Sequence, residues 1–326
     1  MRRKMSEYLL ALENVSLSYE KQVVADLSFQ ISGGQVLALV GESGCGKTTL
    51  LKALAGLPDS GVAITGGRIL YDGRDLTGLG CRERKKLLGG EIAMIFQNPG
   101  ASFNPIRSYR KQFAEMLISS GGFKGEQSYS EILDCFGKLH LPEGRRILDS
   151  CPYEMSGGMN QRVAIAAAML QKPRLLLADE PTSALDATTQ KTVVEELLKM
   201  KELTGTSIII VTHNLGIAAK MADLTGVMYA GRLLEWGDTQ KVLRTPAHPY
   251  TRSLISAIPC LGGRLPESLE GQPPLYGAEQ GSCSFSGRCR YKKESCGEYR
   301  YQLKEVSGGH MSCCMEGIEE SHEYGS

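Results

Sequence analysis

The sequence predicts an α/β protein with a mostly parallel sheet covered by helices, and three observations carry that prediction. Short apolar runs of strand length recur, among them QVLALVG, RLLLAD and SIIIVT. Helical stretches such as TTQKTVVEELLKMKEL, with apolar residues three and four apart, separate the later runs, and strands joined by helices pair in parallel. A glycine-rich segment, GESGCGKT at residues 41–48, lies between one buried run and a helical pattern.

Along the chain, ALENVSLSY, VVADLSFQI and QVLALVG are separated by turn residues such as SGGQ. They read as strands, the last buried and the earlier ones forming an antiparallel β subdomain. A polar stretch rich in Gly and basic residues, about 72–90, leads to the strand-like EIAMIFQ. From about 98 to 171 the pattern is helical, in RKQFAEMLIS, YSEILDCFGKL and NQRVAIAAAML, which predicts a helical subdomain. RLLLAD, SIIIVT and LTGVMYAG then read as strands, with helices TTQKTVVEELLKMKEL and LGIAAKMA between them. Beyond Pro246 the chain turns rich in Pro and Gly. A boundary near Pro259 divides a domain at 7–258 from a small, irregular, Cys-rich domain at 259–326.

The 326 residues carry 37 Lys and Arg against 36 Asp and Glu, a balance that provides no field for nucleic acid. Glu7 and Glu13 interrupt the apolar residues after MRRK, so no signal peptide is expected. No apolar run approaches the roughly 20 residues of a membrane span. A soluble, cytosolic chain is therefore expected, in which clustered thiols favour metal or redox roles over structural disulfides.

Residues 41–48 fit G-x-x-x-x-G-K-S/T with a strand before and a helix after, the setting of a phosphate-binding loop. Its glycines let backbone N–H groups converge on phosphate oxygens, Lys47 bridges the β and γ phosphates, and the Thr48 hydroxyl ligates magnesium. Cys45 reads as a small filler. RLLLADEP supplies the expected carboxylates at a strand end: Asp179 for magnesium through water, and Glu180 to polarise the attacking water. The core is thus a P-loop ATPase with a RecA-like sheet, binding ATP and Mg2+ through Gly41, Glu42, Ser43, Gly44, Cys45, Gly46, Lys47, Thr48 and Thr49.

The segment YEMSGGMNQRVAIAAAML resembles the signature of ATP-binding cassette proteins. The resemblance, over residues 7–259, implies that Ser156, Gly157, Gly158 and Gln161 act in trans on nucleotide bound to a partner subunit. It makes SALD, with Asp186, the loop crossing the dimer interface, and His213 of VTHN a switch histidine that joins Glu180 in catalysis. Tyr19 is similar to the family's adenine-stacking aromatic, and Gln97 to the glutamine that touches magnesium and water. Met155 and Asn214 depart from the leucine and aspartate common in the family.

VLRTPAHPYTRSLISAIP and LEGQPP look like the segment after the cassette in dipeptide, oligopeptide and nickel importers. That resemblance implies an ATP-hydrolysing motor at the cytoplasmic face of the membrane, paired as a heterodimer with a second, homologous ATPase. It also implies two membrane permeases and an extracytoplasmic solute-binding protein, with peptides as cargo and nickel or another metal complex as the alternative. From a different class, a soluble, non-transport ATPase acting on nucleic acid is the competing reading, although no nucleic-acid partner is expected.

The thiols Cys283, Cys289, Cys296, Cys313 and Cys314 crowd the tail. Their spacing lacks the pairs two to four residues apart that are usual for zinc, and leaves open an iron–sulfur cluster, zinc or unliganded thiols. Resemblance to the peptide-importer tail implies a four-iron, four-sulfur (4Fe-4S) cluster on Cys283, Cys289, Cys296 and Cys313, with Cys314 as an extra thiol. Arg288, Arg290, Lys292 and Lys293 would offset the thiolate charge.

Overall fold

The computed structural model describes residues 7–57, 61–258, 269–274, 282–298 and 300–314. The chain begins with β1 (Leu10–Ser18), β2 (Gln22–Ile31), β3 (Val36–Val40), α1 (Lys47–Ala55), β4 (Ala63–Tyr71) and β5 (Arg74–Asp75). Of these, β2, β1, β4 and β5 form, in that order, an antiparallel four-stranded sheet. The strand β4 went unread in the sequence because Gly66 and Gly67 interrupt its apolar pattern. Gly67 sits at φ 74°, and a Cβ there would come within 2.3 Å of the carbonyl oxygens of Glu13 and Asn14. The β1–β4 register shifts between Glu13 and Ser16, so the glycine marks a bulge where two backbones nearly touch.

After α2 (Cys81–Leu87) and β6 (Ile92–Ile95) come the helices α3 (Tyr109–Ser119), α4 (Glu126–Lys138), α5 (Gly144–Asp149) and α6 (Gly157–Leu170), within the span read as a helical insert. The alternation then resumes with β7 (Leu175–Asp179), α7 (Ala187–Thr204), β8 (Ser207–Val211), α8 (Leu215–Met221) and β9 (Leu224–Tyr229). The strands β9, β3, β8, β7 and β6 lie side by side and parallel. Along β3, Val36, Ala38 and Val40 face one apolar core, shared with the helical insert, while Leu37 and Leu39 face a second, shared with the antiparallel sheet. Both faces of the central strands are therefore covered, which is why VLALV and SIIIV are continuous apolar runs rather than alternating ones.

The chain continues through β10 (Arg232–Asp238), α9 (Thr239–Arg244) and α10 (Pro249–Ser256), and the tail contributes β11 (Lys304–Ser307) and β12 (His310–Ser312). This last hairpin is regular structure where the texture of the sequence gives none. Strand β12 pairs antiparallel with β10, so the tail extends the cassette's own sheet at its edge. Phe285, from the cysteine-bearing segment, is buried with its ring 5.4 Å from Tyr229 and 5.3 Å from Tyr250. Among the described residues no helix is long and apolar enough to cross a membrane.

His248 caps α10, its Nδ1 accepting the Tyr250 N–H at 3.0 Å. Complete burial, with the Arg252 cation adding to it, lowers its pKa from 6.5 to about 3. The nearby Glu235 carboxylate is already engaged by the Ala247 and His248 N–H groups. The unfolded chain therefore binds a proton that the folded chain refuses, and stability falls as pH drops from 6.5 towards 3. In His248→Asn, which keeps a capping oxygen, equilibrium unfolding measured across this window should lose about one proton's worth of pH dependence. An unchanged slope would assign it to other groups.

Candidate functional site

The loop between β3 and α1 is shaped by glycine. Gly41 has φ 149°, and a Cβ there would meet the Met228 carbonyl oxygen at 2.1 Å; Gly46 caps α1 at φ 102°. Lys47, only 6% exposed, donates from Nζ to the carbonyls of Gly41 at 2.7 Å and Glu42 at 2.8 Å. The ammonium thus closes its own loop and must leave these carbonyls to meet a phosphate. Cys45 is buried, and burial pushes its thiol pKa up against the opposing Lys47 charge, in keeping with the filler reading. Thr49 is buried too, whereas Ser43 and Gly44 are exposed on the loop's outer side.

Asp179, at the end of β7, is buried and accepts the Thr48 hydroxyl at 3.1 Å. Burial raises its pKa, partly countered by that hydrogen bond. A hydroxyl and a carboxylate meeting beside the phosphate loop are the hard oxygen donors that magnesium takes, so the residues fit the ion.

Glu180 follows at φ 45°, a left-handed conformation that costs a residue with a Cβ. Its N–H donates to the Val211 carbonyl at 2.9 Å, and its own carbonyl accepts Gln161 Nε2 at 3.2 Å. Held in this way, the carboxylate stands 3.3 Å from His213 Nδ1 and 3.5 Å from Gln97 Nε2. Gly41, Glu42, Ser43, Glu180 and His213 border one cleft of about 560 Å3. Leu254, Ala257 and Ile258, in and just after α10, complete its wall, a contribution that the periodicity of the sequence did not reveal.

Ser156 caps α6, its Oγ accepting the Met159 N–H at 3.3 Å, and Gly157 is exposed beside it. Gly158 packs near Leu185. Gln161, expected to act in trans with them, is fully buried in its own chain and donates from Nε2 to the Glu180 carbonyl. Asp186 caps α7 by accepting the Thr188 and Thr189 N–H groups, and the Thr189 hydroxyl bond lowers its pKa. Asn214, in place of the common aspartate, caps α8 through the Gly216 and Ile217 N–H groups, work that either side chain can do. Tyr19 is exposed in the β1–β2 turn.

In the tail, the Cys283 N–H donates to the Cys296 carbonyl at 3.0 Å. Burial raises the pKa of Cys283, and charge on Cys296, Cys314 or Cys289 would raise it further; Cys289 is likewise raised by burial and by Cys314 and Cys296. Of the two thiols that end the described tail, Cys314 is the one whose charge acts on both Cys283 and Cys289. Cys313 is buried in the apolar core, with its N–H on the Leu234 carbonyl. Cys314, next to it just beyond β12, is only partly buried. Among the described residues no three His, Cys, Asp or Glu side chains stand close enough to hold a single metal ion. Cys260 lies outside the described residues. Arg288, expected to offset thiolate charge, turns instead to Glu42 of the phosphate loop.

Residues 24–183 match the family described as ABC transporter, and residues 234–296 the oligopeptide/dipeptide transporter C-terminal region. The chain is 38% identical to the oligopeptide transport ATP-binding protein OppD of Salmonella typhimurium, over 91% of this chain and 89% of that protein. It is 35% identical to the dipeptide transport ATP-binding protein DppD of Bacillus subtilis, over 97% of each. Among solved structures it resembles a dimeric ATP-binding cassette in a post-hydrolysis state with ADP and Pi, with a TM-score of 0.65 and 27% identity, covering 71% of this chain and 98% of that one. The loop, the paired carboxylates and these likenesses agree, and the chain belongs to the ATP-binding cassette family of transport ATPases, which use ATP and Mg2+, in the branch that carries the oligopeptide/dipeptide transporter C-terminal region.

Proposed function

We propose that this chain is the motor subunit of a peptide importer, hydrolysing ATP at the cytoplasmic face of the membrane to drive two permeases supplied by a solute-binding protein. The observation that carries the peptide assignment is the match of residues 234–296 to a C-terminal region named for oligopeptide and dipeptide transporters. In this reading residues 7–258 are the cassette and 259–326 an appendage specific to that branch.

Lys47 would leave the Gly41 and Glu42 carbonyls for the β and γ phosphates, Thr48 directly and Asp179 through water would hold magnesium, which neutralises phosphate charge, and Tyr19 would stack on adenine. Ser156, Gly157 and Gly158 meet the γ-phosphate of nucleotide on a second, homologous ATPase, with Asp186 near the interface. Closure of the two cassettes is favoured by nucleotide shared between them and is lost with the γ-phosphate. Glu180 takes the proton of the attacking water, while His213 and Gln97 orient the carboxylate and the water. Reconstitution with its two permeases and binding protein should give ATPase activity stimulated by peptide-loaded binding protein. Stimulation by nickel-loaded binding protein alone would overturn the peptide assignment, and full activity with this ATPase as the sole cassette would overturn the heterodimer.

For the tail the reading is a 4Fe-4S cluster on Cys283, Cys289, Cys296 and one of the adjacent Cys313 and Cys314, because the spacing lacks the close pairs usual for zinc. When bound, such a cluster cross-links the turn at 283–296 to the end of β12. Anaerobically purified protein should contain iron and acid-labile sulfide in equal amounts; colourless protein with stoichiometric zinc would sink the assignment.

A further inference from the structure

Glu42 is the first variable residue of the phosphate loop, and two residues from beyond the cassette motifs hold it. Its N–H donates to the Tyr250 hydroxyl at 2.9 Å. Its carboxylate receives a two-pronged bond from Arg288, Nη1 to Oε2 at 2.7 Å and Nη2 to Oε1 at 3.0 Å. The Arg288 side chain is 6% exposed against 26% for Glu42. Its remaining donors reach the Glu270 carbonyl at 2.9 Å, the Leu269 carbonyl at 3.4 Å and the Tyr229 hydroxyl at 3.3 Å. Planar, paired bonds of this kind fix geometry as well as charge.

We propose that Arg288 is a positioning residue for nucleotide binding: it neutralises and orients Glu42, so that the Cys-rich tail sets the affinity of the phosphate loop for ATP. The proposal rests on the nucleotide reading of residues 41–48. Two consequences of the Arg288–Glu42 pair lead to it. An unpaired carboxylate at position 42 would face the triphosphate with a like charge in a partly buried cleft, where screening is weak. The Glu42 carbonyl also receives the Lys47 ammonium, so loosening residue 42 disturbs the group that must transfer to phosphate. Because Arg288 directly precedes Cys289, the turn bearing the thiols is the turn that holds the loop.

The test is equilibrium binding of a slowly hydrolysed ATP analogue with Mg2+ to the full chain. Arg288→Ala should weaken binding about tenfold, the scale of an unpaired, partly buried charge. Adding Glu42→Gln to that variant should recover most of the loss, because the stranded charge is gone. A merely structural role for Arg288 in folding the tail would not be relieved at residue 42. Should Arg288→Ala fail to fold, Arg288→Gln, which still donates to the Leu269 and Glu270 carbonyls, replaces it in the comparison. Unchanged affinity in the single variant, or a double variant as weak as the single, overturns the proposal. Absence of binding by the unsubstituted chain would instead reject the nucleotide reading of the loop.

Discussion

Glu180→Gln should slow hydrolysis at this subunit's own loop by about 10²–10⁴-fold and leave ATP bound there. The carboxylate lies in the cleft within reach of His213 and Gln97, and the amide cannot take a proton. Removing a positioned general base costs about 10²–10⁴ in rate. Binding survives because Lys47, Thr48 and Asp179 are untouched, and the strained backbone at residue 180 is held by main-chain and Gln161 bonds that glutamine keeps. In the assembled complex, single-turnover measurement with labelled ATP separates the two cassettes, since a competent partner site would continue to release phosphate. Phosphate released from this site at the original rate would remove Glu180 from its role. Asp179→Asn has a different signature. Its amide oxygen can still accept the Thr48 hydroxyl, but the charge for magnesium is gone, so it should lower Mg2+-dependent binding along with turnover.

Much of this site was legible because its parts are local. Residues 41–48 specify their own backbone through glycine, and a strand ending in two acids announces itself. Their convergence with Gln97 and His213 followed from family resemblance, since neither residue type identifies itself by spacing. Glycine concealed β4, where the signal was a bulge rather than an alternation, and brevity concealed β11 and β12, which are strands only because β10 offers an edge. Sequence order placed Gln161 with the exposed signature, whereas its position on α6 turns it inward to the Glu180 carbonyl. Cys313 was read by position in a pattern, which cannot show that tertiary packing buries it against the apolar core. Arg288 was read against its neighbours in sequence, the thiols, when its partner is 246 residues away.

Glu235→Ala should destabilise the chain by about 3 kcal/mol or more, among the largest costs available to one side chain here. Glu235 lies on β10 with no exposed surface, and His310, 1% exposed, is brought to it by β12. One carboxylate oxygen accepts the Ala247 N–H at 2.7 Å and meets His310 Nε2 at 2.7 Å; the other accepts the His248 N–H at 2.9 Å. Alanine would strand two buried amides and one buried imidazole at once, each at about 1–3 kcal/mol. His310→Gln should cost less, since its amide can still donate to the carboxylate and both backbone bonds remain. Urea unfolding monitored at neutral pH tests this order, and a midpoint for Glu235→Ala within error of the unsubstituted chain would refute it. The consequence extends past stability. Glu235 ties three segments together, the cassette edge, the turn leading into α10 and the last strand of the tail, and that arrangement seats Tyr250 and Arg288 against Glu42. A partial loss of this anchor, short of unfolding, should therefore weaken nucleotide binding in His310→Gln without any change at the phosphate loop itself.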